Sequence, residues 1–360
     1  MHTVDVALGQ RSYQILVGSG LLAEAGRHIA AVLPPGRALI ITDDSVAGIY
    51  LDPVARSLSA AGFAVSSATV PAGEQSKSFD QLARLCDECF RAGLERRSLI
   101  VALGGGVIGD LAGFVAATYL RGIPFVQAPT TLLAQVDSSI GGKTGINLPG
   151  GKNLVGAFHQ PALVLADVAA LATLDDRQFS SGLAEVVKHA MIRDAALFDL
   201  LEADAAKLLS RDPATLEKIV ARNCGVKAAV VCADEREAGL RSILNYGHTV
   251  GHAVESVASY GVYTHGDAVA LGLAAAAAIA RSRGFIDDAV VVRQNKLLER
   301  FGLPTKLRRP LDTDALLEAM RHDKKVLSGR LRFVLPVAIG ETRLVDDVTD
   351  AELRAALSCL

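Results

Sequence analysis

Short apolar runs separated by amphipathic stretches fill the first half of the chain. The runs predict five strands, at Ala38–Thr42, Ala64–Val70, Leu99–Leu103, Phe125–Ala128 and Leu163–Ala166. The amphipathic stretch Ser78–Ala92 between two of them has helical periodicity. Strands that alternate with helices, without hairpin signals, predict a parallel sheet covered by helices. The alternation in Thr3–Val17 instead predicts an antiparallel hairpin that adds an edge to this sheet.

The pattern changes at about Asp176, where helical stretches replace the alternation. Apolar spacing predicts helices at Ala214–Cys232, Thr249–Ala258, Ala268–Arg283 and Ala289–Phe301, before a last strand candidate at Leu331–Pro336. We therefore divide the chain near Leu174 into a mostly parallel, Rossmann-like α/β domain (residues 1–174) and an all-α domain (residues 175–360). We expect the active site in the interdomain cleft, because ligand pockets often lie in such clefts.

Composition limits the class of protein and the kind of partner. The chain has 360 residues, 50% of them hydrophobic and 21% charged, which is typical of a globular protein large enough for two domains. The net charge of −2 and the lack of a sustained basic run argue against nucleic-acid binding. The longest strongly apolar stretch, Ala268 to Ala280, would span about 20 Å as a helix, too short to cross a membrane.

The cysteines and the start of the chain bear on location. Five cysteines, an odd number, do not predict a disulfide framework, and the first residues lack the pattern of a signal peptide. Both observations indicate a cytoplasmic protein. Cys86 and Cys89 form a Cys-x-x-Cys pair in a helical stretch; without a second such pair, we expect packed thiols and not a metal site.

A glycine-rich turn follows the strand Leu99–Leu103. Gly104, Gly106 and Gly109 match G-x-G-x-x-G between a strand and a helix. At such a turn the backbone N–H groups and the positive end of the helix dipole can bind a diphosphate. The turn therefore predicts a dinucleotide site.

The acid that binds the ribose is not at its usual place. It should follow the glycine turn by about 20 residues, at the end of the next strand. After Phe125–Ala128 the chain continues with Pro129-Thr130-Thr131, whereas Asp43 closes an earlier strand. The nucleotide-binding order is thus rearranged, and an ordinary Rossmann dehydrogenase is disfavoured.

Two Gly-Gly-Lys elements follow, which end at Lys143 and Lys152. The first is like the end of a P-loop, but Asp137 stands where the upstream glycine is required, so an NTPase is disfavoured. A single lysine on a glycine loop would be interpreted as a solvated side chain. Two in tandem beside Asp137-Ser138 favour a site for a phosphate or a carboxylate.

Three of the eight histidines lie within eighteen positions. His248 and His252 are four residues apart and share one face of a helix, and His265 can return to them across a turn. A catalytic site of the zinc type combines His with a carboxylate, and Glu185, an acid in an apolar helical stretch, is the best candidate. On spacing alone, a metal site and a hydrogen-bonded histidine cluster at a domain junction fit equally.

These motifs, in this order, resemble 3-dehydroquinate synthases over essentially the whole chain. The matching stretches are Gly73–Lys77, Leu103–Gly122, Pro129–Lys143, Gly151–Asn153, Gly182–Lys188, Leu244–His252, His265-Gly266 and Asp323–Lys325. The resemblance implies a carbon–oxygen lyase of the shikimate pathway, which converts 3-deoxy-D-arabino-heptulosonate 7-phosphate to 3-dehydroquinate and phosphate. It also implies bound NAD, a divalent metal (Zn²⁺ or Co²⁺) and a homodimer.

The resemblance also implies site residues by matching position. NAD would contact Asp43, Glu74, Lys77, Gly105, Gly106, Val107, Asp110, Thr130, Thr131, Asp137, Ser138, Lys143, Lys152, Thr173 and Leu174. The metal ligands would be Glu185, His248 and His265. His252 would then serve the substrate and proton transfer. The substrate would meet Arg121, Asp137, Lys143, Lys152, Asn153, Lys188, Lys227, Arg241, Asn245, His252 and Lys325.

The implied reaction gives some of these residues a task. NAD⁺ would take a hydride from C5, which makes the C6 proton acidic enough for phosphate to be eliminated. The hydride would then return, the ring would open and an intramolecular aldol would form the carbocycle. The groups that would bind the phosphate are Lys152, Asn153 and Arg121, and those that would orient the carboxylate are Lys227 and Arg241.

Two positions depart from the family pattern, and three alternatives stay open. Ser45 stands where many relatives have Asn, and Leu174-Asp-Asp-Arg-Gln178 replaces Leu-Pro-x-Arg-Glu. The alternatives are another sugar-phosphate cyclase, a metal-dependent polyol dehydrogenase of the same two-domain plan, and a non-catalytic binding protein. Lys227 and Asn245 argue against the other cyclases. A dehydrogenase would accumulate NADH, whereas a cyclase returns its hydride.

Overall fold

The computed structural model describes residues 1–237, 239–258, 262–324 and 331–360. Contacts within the chain divide it into two compact units, Met1–Leu174 with Leu216–Arg236 and Asp175–Thr215 with Glu237–Leu360. A single division near Leu174 places Leu216–Arg236 in the second domain, but this segment groups with the first unit. The reason is local: the Cys224 thiol donates to the carbonyl of Gln135, and Lys227 forms an ion pair with Asp137.

The elements are numbered in chain order. The strands are β1 (His2–Val6), β2 (Tyr13–Gly18), β3 (Arg37–Asp43), β4 (Ala64–Val70), β5 (Leu99–Gly104), β6 (Phe125–Pro129), β7 (Lys143–Leu148), β8 (Gly151–Phe158), β9 (Leu163–Asp167), β10 (Phe333–Ala338) and β11 (Glu341–Val345). The α-helices are α1 (Ala25–Ala30), α2 (Asp44–Val46), α3 (Asp52–Ala60), α4 (Phe79–Arg91), α5 (Gly106–Thr118), α6 (Asp176–Arg193), α7 (Ala195–Ala203), α8 (Ala205–Leu209), α9 (Pro213–Ala233), α10 (His248–Val257), α11 (His265–Ser282), α12 (Asp288–Arg300), α13 (Thr313–Lys324) and α14 (Asp350–Leu357).

Seven strands of the first unit form one sheet in the order β1-β2-β9-β6-β5-β3-β4. β1 and β2 are antiparallel, with His2 opposite Val17, and the other neighbouring pairs are parallel. The five strands predicted from apolar runs are β3, β4, β5, β6 and β9, and the predicted edge hairpin is β1–β2. These predictions are confirmed, as is the Rossmann-like α/β class of this part of the chain.

Helices cover both faces of this sheet. On one face Ile40, Val101 and Leu165 pack in a buried cluster with residues of α1 and α3. On the other, Ile41 and Ile100 pack with residues of α4 and α5. Because α3 follows β3 and α5 follows the neighbouring strand β5, the chain changes direction between these two strands. Ligands of open α/β sheets bind at such a switch point, beyond the carboxyl ends of the strands.

β7 and β8 form an antiparallel hairpin that the sequence did not predict. The two Gly-Gly-Lys elements, expected to be flexible loops, lead into these strands: Lys143 begins β7, and Lys152 is the second residue of β8. The loop prediction was wrong for the lysines because β7 and β8 pair along this stretch, with Lys143 opposite Phe158 and Leu148 opposite Gly151. A glycine further along β8 permits this close pairing. A Cβ on Gly156 would lie 2.1 Å from the carbonyl oxygen of Thr144.

The second unit is mostly helical. Three predicted helices are present as α10, α11 and α12, and the predicted Ala214–Cys232 is α9. The expectation of an all-α domain needs one correction, because β10 and β11 form an antiparallel hairpin, with Phe333 opposite Val345. Within the described ranges, each helix is too short or too polar to cross a membrane.

Candidate functional site

Three helices of the second unit bring one carboxylate and two imidazoles together. Glu185 lies in the middle of α6 and is fully buried, whereas His248 and His265 are the first residues of α10 and α11. Glu185 Oε1 is 3.5 Å from His248 Nε2 and 3.4 Å from His265 Nε2. One donor atom of each residue lies within 4.8 Å of the others. The cluster has the donor set and size of a metal site.

Glycines set the distances between the helices that carry this cluster. A Cβ on Gly272 of α11 would lie 1.7 Å from the carbonyl oxygen of Gly247, the residue that precedes α10. A Cβ on Gly266 would lie 2.2 Å from the carbonyl oxygen of Ser181 in α6. Gly247 itself has φ +80°, a backbone conformation that residues other than Gly rarely adopt. The backbones thus approach closely where His248 and His265 begin their helices.

A capping box fixes the start of α11. The backbone N–H of Asp267 donates to the hydroxyl of Thr264 at 3.1 Å, and the N–H of Thr264 donates to the Asp267 carboxylate at 3.0 Å. The N–H of Gly266 donates to the Ser181 hydroxyl at 2.9 Å. Each bond satisfies a donor that a helix start leaves without an intrahelical partner. The backbone of His265 is therefore held on both sides.

The second ring nitrogen of each clustered histidine faces an acceptor. His248 Nδ1 is 3.2 Å from the carbonyl oxygen of Tyr246, and because a carbonyl only accepts, Nδ1 carries the proton. His265 Nδ1 is 3.5 Å from Glu255 Oε2. Metal-binding histidines usually have this arrangement, with one nitrogen toward the metal and the other donating to a carbonyl or carboxylate. The surroundings of both rings thus fit a divalent cation.

Electrostatics at the two rings differ. Burial lowers the pKa of His248 to about 3, so its imidazole is neutral and able to donate a lone pair. Burial also lowers the pKa of His265, but hydrogen bonds to Glu185 and Glu255 outweigh this effect and raise the pKa to about 10. Two carboxylates beside one imidazole favour a positive charge there, whether a proton or a metal ion.

Other predicted substrate residues of the second unit surround the cluster or lie near it in the chain. Lys188, one helical turn from Glu185, is buried and forms an ion pair with its carboxylate. His252 is exposed, its ring centroid 5.3 Å from that of His248, and it is not part of the donor group formed by Glu185, His248 and His265. Arg241 is buried, and Asn245 Nδ2 donates to Glu237 Oε1 at 3.1 Å. Lys325 lies outside the described residues.

In the first unit, the glycine turn lies at the switch point of the sheet. Thr42 pairs with Leu103, so the strand ends at Asp43 and Gly104 are neighbours. Asp43, the candidate for binding the ribose, is therefore beside the glycine turn. It ends β3, the strand next to β5, and not the strand β6 that follows the turn in the chain. Asp43 Oδ1 accepts from the N–H groups of Ser45 and Val46 and from the Ser45 hydroxyl. Ser45, a departure from the family pattern, thus contacts the ribose-binding candidate directly.

The glycine turn has the shape of a phosphate cradle. Gly105 precedes the thirteen-residue helix α5 and, as a glycine, has no side chain with which to cap its first N–H groups. A Cβ on Gly106 would lie 2.9 Å from Ser138 Oγ, and one on Gly105 3.1 Å from Thr131 Cγ2. Gly109 allows α5 to approach β6, since its Cβ would lie 2.7 Å from Gln127 Oε1. Uncapped N–H groups, small residues and a helix N-terminus fit a dinucleotide diphosphate.

Several further NAD candidates lie around this turn. The N–H of Thr130 donates to the carbonyl of Gly104, and Val107 follows in the first turn of α5. Lys77 Nζ forms a 2.7 Å ion pair with Asp110 Oδ2, and Lys77 is only 4% exposed. Burial raises the pKa of Asp110, although Lys77 opposes this shift. The hydroxyl of Thr173 shares a 2.8 Å hydrogen bond with the hydroxyl of Tyr50, a residue that follows β3 in the chain. Leu174 is the next residue after Thr173.

The predicted anion-binding residues of the first unit differ in how exposed they are. Lys227 is buried, and its ammonium donates to the carbonyl and carboxylate of Asp137, both at 2.6 Å. Lys143 and Lys152 are exposed on the β7–β8 hairpin. Arg121 is also exposed and has φ +70°, in a 3₁₀ turn whose preceding residue Leu120 has φ +50°. Strained backbone of this kind is common at functional sites.

The Cys-x-x-Cys pair is a pair of packed thiols. Cys89 is buried in α4 and Cys86 is partly buried, and both are free cysteines. Burial raises the pKa of Cys89 to about 12. Such thiols are poor metal ligands because the thiolate form is disfavoured.

Two residues that the sequence reasoning missed contact the predicted sites. Glu255 stands beside His265, and its signal was present: His248, His252 and Glu255 are spaced i, i+4, i+7 and share one helical face. Asn147 contacts Glu74 and Asn153 in the first unit. It had no signal, because its partners are set by the unpredicted β7–β8 hairpin.

Comparisons with known proteins place the chain in a family. Residues 67–181 match the family model described as 3-dehydroquinate synthase N-terminal, and residues 182–326 match the one described as 3-dehydroquinate synthase C-terminal. The chain belongs to the 3-dehydroquinate synthase family. A 3-dehydroquinate synthase of Symbiobacterium thermophilum is 52% identical over 355 residues, which cover 98% of this chain and 99% of that relative.

Two solved structures share the fold along the whole chain. ValA, a 2-epi-5-epi-valiolone synthase from Streptomyces hygroscopicus subsp. jinggangensis 5008 with NAD⁺ and Zn²⁺ bound, has a TM-score of 0.90 at 32% identity, covering 98% of this chain and 97% of that one. A 2-deoxy-scyllo-inosose synthase complexed with carbaglucose-6-phosphate, NAD⁺ and Co²⁺ also has a TM-score of 0.90, at 27% identity and 99% coverage of each chain.

Proposed function

We propose that this chain converts 3-deoxy-D-arabino-heptulosonate 7-phosphate to 3-dehydroquinate and phosphate, with NAD and a divalent metal as cofactors. The observation that carries the proposal is the cluster of Glu185, His248 and His265, in a chain of this family. Three protein ligands leave coordination positions for substrate, as catalytic metal sites require. The substrate offers two adjacent hydroxyl groups for such positions.

The cofactors supply chemistry that side chains lack. When bound, NAD⁺ accepts and returns a hydride, and the divalent cation acts as a Lewis acid toward the substrate hydroxyls. Both solved relatives contain NAD⁺, one with Zn²⁺ and the other with Co²⁺, which supports the same pair here.

In the first unit, the chain's own residues bind the anionic groups of the substrate. Lys152 and Asn153 on the hairpin, together with Arg121, bind the phosphate, and Lys227 orients the carboxylate. The Asp137 carboxylate holds the Lys227 ammonium in one place before substrate arrives. Such prepositioned cations stabilise a leaving phosphate by several kcal/mol when water is excluded, about as much as the loss of an oxyanion donor costs an enzyme.

In the second unit, residues beside the metal cluster hold hydroxyls and protons. The ring centroid of the exposed His252 lies 5.3 Å from that of His248, and this imidazole would hold or move a proton at a hydroxyl of the substrate. Asn245 and Arg241 orient the hydroxyl and carboxylate groups, and Lys188 balances the charge of Glu185. No separate base is assigned for C6, since the substrate phosphate itself takes that proton.

Sequence identity favours this substrate over those of other cyclases. The chain is 52% identical to a 3-dehydroquinate synthase but 32% and 27% identical to the valiolone and inosose synthases. Lys227, which we assign to the carboxylate of the substrate, supports the same choice. The valiolone and inosose synthases remain the second candidates, to be tested with sedoheptulose 7-phosphate and glucose 6-phosphate.

The test is turnover of the heptulosonate phosphate by purified protein with catalytic NAD⁺. We expect phosphate release without net NADH, loss of activity in a strong chelator, and recovery with Zn²⁺ or Co²⁺. His265→Ala should lose at least about 10³-fold in kcat/KM, because several kcal/mol of metal stabilisation are removed. His2→Ala, an exposed histidine on β1, is the matched control.

Two outcomes would contradict the proposal. Phosphate release that is unchanged in chelator would remove the metal from the reaction. NADH that accumulates in step with substrate consumption would indicate a dehydrogenase, because a cyclase returns its hydride.

We also propose a homodimer and a cytoplasmic location, which the family resemblance supports. Light scattering of the purified protein measures the first, and cell fractionation the second.

A further inference from the structure

One amide, Asn147 near the end of β7, links two segments of the first unit. Its side-chain Nδ2 donates to Glu74 Oε1 at 2.8 Å, and its Oδ1 accepts from the backbone N–H of Asn153 at 2.8 Å. Its own backbone N–H donates to the carbonyl of Lys77 at 2.9 Å. Glu74 and Lys77 are among the expected NAD contacts, whereas Asn153 is an expected phosphate contact. Asn147 therefore bonds to both segments at once.

Asn153 needs to be held in place by its neighbours. Its φ is +57°, in the left-handed region of the backbone, where residues other than Gly are strained. Asn tolerates this region better than most residues but does not adopt it without support. Asn147 anchors the backbone of Asn153, and the Lys77 ammonium donates to its side-chain oxygen. Lys77 is anchored in turn by Asp110, at 2.7 Å.

The two contacts of Asn147 use both ends of its amide. Glu74 is a carboxylate and requires a donor, whereas the N–H of Asn153 requires an acceptor. A carboxamide supplies both within one planar group. Asp would keep the acceptor but would place a negative charge against Glu74, and Leu would supply neither. The position thus requires a side chain that both donates and accepts a hydrogen bond.

We propose that Asn147 is a positioning residue, which fixes the Glu74 carboxylate of the nucleotide segment and the strained Asn153 of the β7–β8 hairpin in one arrangement. It acts through these two residues. The inference rests on the proposed function, which gives Glu74 and Asn153 their ligands. Because the two bonds are chemically different, they can be broken separately.

The experiment measures NAD and inorganic phosphate separately by calorimetry, on metal-loaded full-length protein. Asn147→Leu removes both bonds, and the affinity for each ligand should fall about tenfold or more. This is the effect of losing one hydrogen bond to a charged or strained partner. Asn147→Asp keeps the bond to Asn153. In this variant the affinity for NAD should fall about tenfold, whereas the affinity for phosphate should change less than about threefold. A general loss of folding would weaken the binding of both ligands and would not produce this difference between NAD and phosphate.

The matched control is Gln14→Leu. Gln14, an exposed residue of β2, donates through Nε2 to Asp5 Oδ1 at 2.9 Å, so this variant loses an amide–carboxylate bond of the same kind at the surface. Both affinities should stay within about twofold of wild type, as expected for a surface change. Thermal unfolding of all variants checks that the Asn147 variants are folded at the temperature of the titrations.

The inference is overturned if Asn147→Leu binds both ligands as wild type does, or if Asn147→Asp weakens both equally. Wild-type protein that binds neither ligand would overturn it too. A wild-type protein that binds both but releases no phosphate from the heptulosonate would instead refute the proposed function alone. Since binding is measured without turnover, the two failures are distinguishable.

Discussion

The glycine turn and the metal cluster are built in opposite ways. The turn is contiguous in sequence, from Gly104 to Gly109, and consists of backbone atoms at the end of β5. The cluster takes one side chain from each of three helices, and Glu185 and His265 are 80 positions apart in the chain. One is a local motif, and the other depends on how helices pack.

This difference explains where each region is sensitive. At the turn, the proposed ligand contacts come from neighbouring peptide groups, and the flanking strand is held by its parallel neighbours. At the cluster, small residues hold the helices at the required distance, and Gly272 touches the backbone of Gly247. A change away from the metal ligands should therefore damage the cluster more than a comparable change damages the turn.

The largest effect should come from Gly272→Ala. The new Cβ would lie 1.7 Å from the carbonyl oxygen of Gly247, which is backbone and cannot rotate away. We expect α10 to be displaced, with a loss of about 3 kcal/mol or more in the free energy of unfolding, at the upper end of overpacking effects. Zinc affinity should fall as well, because His248 begins α10. Urea unfolding and a zinc titration measure the two quantities.

Gly225→Ala is the control for that substitution. Gly225 lies inside α9, and a Cβ there would meet nothing within 4 Å. Ala has a higher helix propensity than Gly, so this variant should gain up to about 1 kcal/mol. If Gly272→Ala were as stable as Gly225→Ala, close packing of α10 and α11 would not explain how the cluster is set.

The same contrast explains what could be predicted from the sequence. The parallel strands of the main sheet were predicted from runs rich in apolar residues, such as Leu99–Gly104, and the β1–β2 edge was predicted from its alternation. The β7–β8 hairpin was not, since Gly145 and Gly156 are typical of loops until their close backbone contact is known. The candidate ligand residues could be named by type, spacing and family resemblance. Asn147, which holds Glu74, could not be named, because these two residues are 73 positions apart.

Glu255→Gln tests whether the cluster depends on groups behind its ligands. Glu255 Oε2 lies 3.5 Å from His265 Nδ1, where a carboxylate orients the ring and strengthens its lone pair toward a metal. The variant should bind Zn²⁺ about 10- to 100-fold more weakly, as is typical when such a partner is lost. Competition with a chelating dye measures the affinity.

Glu341→Gln provides the comparison for this charge change, because Glu341 is exposed at the start of β11. It should bind Zn²⁺ like wild type, and both variants should keep wild-type NAD affinity. Equal zinc affinity in Glu255→Gln and wild type would show that His265 needs no carboxylate behind it.

The smallest effect should follow Gly106→Ala, the equivalent change at the glycine turn. Its Cβ would lie 2.9 Å from Ser138 Oγ, and a hydroxyl at the end of a side chain can rotate away, so little stability should be lost. NAD affinity should nevertheless fall about tenfold, because a methyl group stands where the diphosphate approaches the backbone. Isothermal titration measures it, with zinc affinity unchanged. Adding Ser138→Ala separates two causes: if crowding of Ser138 were responsible, NAD affinity would recover in the double variant, whereas blocked access to the backbone predicts that it stays low.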